Sequence, residues 1–168
     1  MTDAFDLDHF RVNPDLVVVH MQAESMAEVI TRLSHILIMR GYAKPGHTQA
    51  VIERETTCPT GLPTDGVRTA IPHAGVEHSL KPGMAIATLA QPVKFGELGD
   101  PDHTLDVAIV FMLCVTQPDA QVYLLQSLVE VYKDAELLRR LHAAGDASLI
   151  VDEVNASLAK VKGRSDKT

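Results

Sequence analysis

Residues 105–115, LDVAIVFMLCV, constrain the fold more than any other stretch of this chain. Leu105, Val107, Ile109, Phe111 and Leu113 alternate with Ala108, Val110, Met112 and Cys114, so both faces of an extended segment are apolar. A strand of that kind needs cover on both sides. That is the situation of a central strand in a layered α/β sheet, not of a strand with one wet face. The apolar run is about half of the roughly 20 residues that a membrane-spanning helix requires. It therefore belongs in a protein core.

The other elements follow from period and punctuation. Residues 15–20 are short and β-branched, a second strand. Ser25 and Glu28 form a capping-box pattern ahead of Met26, Val29, Ile30, Leu33, Ile36 and Leu37 at helical spacing, with Gly41 as the stop. A short helix is expected at 47–55, after Pro45-Gly46, and a Pro/Gly/Thr loop at 58–66. Residues 69–71 read as a strand cut off by Pro72, which removes a backbone donor and holds Ile71 extended. Residues 84–90 give a further strand and 93–95 a brief edge strand. From Asp119 the chain turns helical, with Val122, Leu125, Leu128 and Val129, then Ala135, Leu138 and Leu141, ending near Gly145. A last amphipathic helix at 149–161 points Ile150, Val154, Leu158 and Val161 inward, and 162–168 is a polar tail. There is no internal repeat and no linker. The expectation is one α/β domain over residues 1–161, a small mixed β-sheet with helices on both sides.

Charge narrows the function classes. With 15 basic and 22 acidic residues the net charge is -7, and aromatics make up only 4%. Such a surface repels nucleic acid and anionic lipid and offers little for stacking on bases, so neither is an expected partner. A phosphate group would have to be met by a few placed donors. Cys58 and Cys114 form no CxxC pair and read as two reduced, semi-buried thiols. The opening eight residues carry three aspartates and no apolar run, unlike a signal peptide. A cytoplasmic setting without membrane insertion is the expectation.

A lone histidine is ordinarily a surface or helix-face residue. His35 and His142 fit helical positions, His9, His47 and His103 fall in polar segments that need no special account, and His20 ends a strand without a clear role. His73 differs. It follows a strand terminated by proline, in Ala70-Ile-Pro-His-Ala74, and comes after a loop of the kind that lines sites. An exposed imidazole on rigid backbone suits reversible phosphoryl transfer, since one nitrogen can be fixed by a hydrogen bond while the other attacks. A competing metal reading pairs His73 with His78, near Glu77 and Asp65. Their spacing of five and the nearby Gly75 and Pro82 do not give the helical pattern of zinc motifs. No GxSxG elbow or Walker loop is present. Arg54 and Arg68 are candidates to meet phosphate oxygens, although by position alone Arg54 reads first as a solvated helix-end residue.

These residues carry a family resemblance. Pro59-Thr60-Gly61-Leu62 followed by Ala70-Ile71-Pro72-His73 resembles the phosphorylation-site signature of enzyme IIA components, fructose/mannitol superfamily, of sugar phosphotransferase systems. Glu53-Arg54-Glu55 is similar to the arginine-glutamate pair that precedes it there, and the likeness runs from about Leu16 to Leu158. The resemblance implies phosphorylation of His73 on Nε2, with a small histidine phosphocarrier protein as donor and a cysteine of a IIB component as acceptor. It implies that Arg54 flanks the phosphoryl group, with Thr60, Gly61 and Gln121 as further phosphoryl-binding residues, and no metal or cofactor. Gln121 stands where many members have a second histidine, and the loop from Thr60 to His73 is longer than in the nitrogen-regulatory branch. Both features resemble the galactitol-type branch, which points to a hexitol-like sugar. A regulatory protein of the nitrogen-related type is the alternative, and a metal-dependent hydrolase a third reading.

Overall fold

The structure, a computed structural model, describes residues 10–165. The acidic opening, His9 and residues 166–168 lie outside it, as do the side chains of 162–165. A one-turn 3-10 helix, Pro14–Leu16, leads into β1 (Val17–Met21). Then come α1 (Met26–Met39), α2 (His47–Thr57), β2 (Gly61–Leu62), β3 (Arg68–Ala70), β4 (Gly83–Glu97) and β5 (Asp100–Cys114). Three helices finish the described chain: α3 (Pro118–Lys133), α4 (Ala135–Ala143) and α5 (Ala147–Ser165).

The sheet is built on the long β4–β5 antiparallel hairpin. β1 runs parallel beside β4, β3 runs parallel beside β5, and β2 pairs antiparallel with β3. β2 also touches the far end of β4, Gly61 against Glu97. β5 is thus central, with β4 and β3 on either side, as its two apolar faces require. One face packs Ile109, Phe111 and Leu113 with Leu124, Leu128 and Val131 of α3, Leu138 of α4 and Val154 of α5. The other packs Val107, Val110 and Met112 with Val29, Ile30 and Leu33 of α1 and Val51 of α2. Helices on both sides of a mixed sheet are what the sequence led one to expect.

The departures have local causes. Residues 93–95 are not a separate edge strand. Strand β4 continues through Pro92 by a register shift between Thr88 and Val93, and the bulge leaves the exposed proline where no ladder donor is needed. Within the expected 58–66 loop, Gly61 and Leu62 form a short strand with Thr69 and Ala70. The helical run after Asp119 breaks at Asp134, whose side chain accepts from the Leu137 amide and caps α4. Val122 and Val129 face outward, because the buried stripe is Ala120, Leu124, Leu128 and Val131. Leu128 is buried as expected, and Leu125 packs against the edge of the same core. α5 runs four residues past the expected end, into the polar tail. The first helix is as read: Ser25 caps it through the Glu28 amide, and Gly41 follows its end at φ +76°. No helix among the described residues is long and apolar enough to cross a membrane.

Candidate functional site

Proline 72 ends β3, but the chain stays on the sheet. The Leu113 amide donates to the Pro72 carbonyl at 3.3 Å, and His73 lies alongside Leu113 in an isolated parallel bridge. His73 is consequently buried, at 7% of its possible exposure. This corrects the expectation of an exposed imidazole: the bridge to β5 draws the segment against the sheet. The ring's Nδ1 lies 2.8 Å from the Ile71 carbonyl oxygen. A carbonyl can only accept, so Nδ1 carries the hydrogen and Nε2 holds a free lone pair.

Burial lowers the His73 pKa from its usual range, the bond to Ile71 raises it, and the nearby Arg54 guanidinium lowers it. The net direction is downward. Near neutral pH the ring is therefore neutral, with Nε2 as its nucleophilic atom. Arg54 is exposed in the last turn of α2, and among the described residues no ion pair occupies it. Its charge acts on both His73 and Glu55.

Thr60 is buried immediately behind this point. Its amide donates to Glu55 Oε1 at 2.8 Å and its hydroxyl to Glu55 Oε2 at 2.9 Å, while its oxygen accepts from the Ile71 amide at 3.1 Å. Glu55 itself is 3% exposed, and burial raises its pKa above the usual carboxylate range against the lowering effect of Thr60 and Arg54. Sequence reasoning noted Glu55 only as part of a motif. Its burial was legible, since His47, Val51 and Glu55 recur every four residues on one face of α2.

Gly61 lies in β2, where an added Cβ would meet the Gly96 carbonyl oxygen at 2.4 Å. Close strand packing alone accounts for glycine there. Gln121 is half-buried in the first turn of α3, and no hydrogen bond joins it to His73. Arg68 is exposed at the far end of β3, opposite Val107. His73, five residues further along the same chain, stands opposite Leu113, so the two lie roughly 16 Å apart at about 3.3 Å per residue. The structure thus brings Arg54, Thr60 and His73 together and leaves Arg68 apart. His78 pairs with Glu77 at 3.5 Å. Among the described residues no three His, Cys, Asp or Glu side chains converge as metal ligands. His47, expected to be unremarkable, is fully buried, with Nδ1 2.7 Å from Ser34 Oγ. Cys58 is exposed and Cys114 buried, so the two thiols are not alike.

Comparison with known proteins agrees with this fold. The family described as "Phosphoenolpyruvate-dependent sugar phosphotransferase system, EIIA 2" matches residues 11–157. The mannitol-specific EIICBA component of Escherichia coli K12 is 28% identical over 95% of this chain, which spans only 24% of that relative's length. The galactitol-specific EIIA component of the same organism is 27% identical over 68% of this chain and 76% of its own. Among solved structures, the Escherichia coli complex of enzyme IIAMTL and phosphorylated enzyme IIBMTL is similar at 26% identity. Its TM-score is 0.70, covering 90% of this chain and 99% of that one. With nearly its whole folded length matched, the chain belongs to the EIIA 2 family of the phosphoenolpyruvate-dependent sugar phosphotransferase system.

Proposed function

We propose that this protein is a cytoplasmic phosphocarrier that takes a phosphoryl group on Nε2 of His73 and passes it to a partner protein. The observation that carries the reading is the Nδ1–H bond to the Ile71 carbonyl, which leaves Nε2 unprotonated. In the forward step the Nε2 lone pair attacks phosphorus, the donor's P–N bond breaks, and its electron pair returns to the donor nitrogen. The His73 ring then bears a positive charge, and its Nδ1–H remains bonded to Ile71. Arg54, whose charge disfavours a proton on His73, favours a dianionic phosphoryl group at the same place. Positioning and local charge suffice for this transfer, so it needs neither metal nor nucleotide.

The donor in this reading is the small histidine phosphocarrier protein, and the acceptor is a cysteine of a IIB component. The similar structure containing a phosphorylated IIB partner supports the acceptor's class. Relatives specific for galactitol and mannitol support a hexitol-like sugar, and Gln121 in place of a second histidine favours the galactitol type. Thr60, Gly61 and Gln121 remain proposed phosphoryl neighbours.

The test is incubation with the phosphorylated carrier, followed by intact mass and adduct lability. One phosphoryl group should appear, labile in acid and stable in base. His73→Ala should accept none while remaining folded. Phosphate retained by that variant overturns the assignment.

A further inference from the structure

The hydrogen bonds behind His73 form a continuous chain that ends on a buried carboxylate. Glu55 accepts from Thr60 at both carboxylate oxygens: the amide and hydroxyl to Oε1 at 2.8 and 3.1 Å, the hydroxyl to Oε2 at 2.9 Å. The hydroxyl has one hydrogen, and it is turned to Glu55. Its oxygen is thereby oriented to accept, which it does from the Ile71 amide. The other polar group of Ile71, its carbonyl, takes the His73 Nδ1–H. Both backbone groups of one residue are thus used, one toward Thr60 and one toward His73.

The two groups belong to different peptide units, and the following residue, Pro72, has no N–H. This chain therefore cannot relay a proton. What it can do is fix the backbone rotation of Ile71, and with it the direction of the carbonyl. A carbonyl swung aside leaves Nδ1 without an acceptor and lets the ring adopt its other tautomer, in which Nε2 bears the hydrogen and cannot attack.

We infer that Glu55 and Thr60 are positioning residues for the phosphoryl-accepting nitrogen: acting through Ile71, they hold the His73 proton on Nδ1 and so reserve Nε2 for phosphorus. A buried carboxylate is costly unless its hydrogen bonds are made, and here a single residue supplies all of them. Thr60 in turn has no freedom to turn away from Ile71 without giving up Glu55. The inference rests on the reading that His73 accepts phosphate on Nε2, but its first readout is independent of phosphorylation.

The experiment uses the full chain with 15N-labelled imidazoles. The nitrogen shifts of His73 report the tautomer in wild type, Thr60→Val, Thr60→Ser and Glu55→Gln. Wild type and Thr60→Ser should show Nδ1–H. Thr60→Val, equal in shape but without the hydroxyl, should show a mixture of tautomers. Its phosphoryl acceptance should be slower by on the order of 10-fold, below the 10²-fold that a 1 Å misplacement can bring. A fraction of its adduct should move to Nδ1, seen by its phosphorus shift. Glu55→Gln keeps one oxygen acceptor and should fall between, and it carries the test should Thr60→Val not fold. An unmoved tautomer and unchanged rate in both variants overturn the inference alone. A wild type that holds Nδ1–H yet accepts no phosphate overturns the phosphocarrier reading and leaves the tautomer lock standing.

Discussion

The Nε2 of His47 lies 3.5 Å from the sulfur of Cys114, and neither side chain has accessible surface. The Thr48 hydroxyl donates to Ser34 Oγ at 2.8 Å, which leaves the Ser34 hydrogen for His47 Nδ1. His47 is therefore neutral, with its hydrogen directed at the sulfur. Burial, aided by the nearby His78, lowers its pKa to about 4. The unfolded chain binds this proton near pH 6.5 and the folded chain only near 4, so stability falls as pH drops through that interval. Between pH 7 and 5 the loss should be ~2 kcal/mol. Urea titration at both pH values should show a smaller loss for His47→Gln. Equal losses would mean that His47 is not the group responsible.

Arg54 tests the electrostatics of the site. Arg54→Ala should slow phosphoryl transfer by on the order of 10²-fold, as loss of one strong charge donor does. Arg54→Lys should retain part of the rate, because a point charge replaces a two-pronged one. Removing the charge also removes one cause that lowers the His73 pKa, so the alanine variant should lose more at pH 6 than at pH 8. Rates measured across that range that match wild type would leave Arg54 as a solvated helix end. Gln121→Ala, lacking a charge to lose, should have the smaller effect.

Gly61→Ala places a methyl group against the Gly96 carbonyl. Backbone cannot yield there as a flexible side chain would, so the variant should lose about 1–3 kcal/mol, typical of overpacking. Because Thr60 is the preceding residue, its hold on Ile71 should loosen too. Thermal melts combined with the His73 nitrogen shifts would show both effects, and an unchanged melt would contradict the packing.

The thiols should separate by access. Cys58 is exposed at the end of α2, whereas burial pushes the Cys114 thiol up to about 11. A disulfide reagent should titrate one thiol in the native protein and two after denaturation. Cys58→Ser should abolish the native reaction and leave transfer intact. Two thiols reacting without denaturant would show that the end of β5 opens.

The architecture was legible because its largest signal, the doubly apolar β5, can be satisfied only at the centre of a covered sheet. Of the candidate site, the placement was legible: Pro72 marked the end of the strand before His73, and Arg54 fell in the last turn of α2. What escaped reading depended on pairing across the chain. Pro92 looked like a strand end because the bulge that tolerates it is a property of two strands together. His47 read as unremarkable because the partners that explain its burial, Ser34 and Cys114, come from other segments. The outward turn of Val122 and Val129 was likewise decided by α3's neighbours, since two stripes of similar spacing compete on that helix.

The segment that carries His73 is gripped from both layers of the molecule. Ala70 and Ala74 belong to the core beneath α1 and α2, while Ile71 packs into the core beneath α3, α4 and α5. A residue held in this way is not on a loop that can melt by itself. On heating, phosphoryl acceptance and the near-ultraviolet signal of the packed core should disappear over the same interval, and no range of temperature should yield an intact but inactive protein.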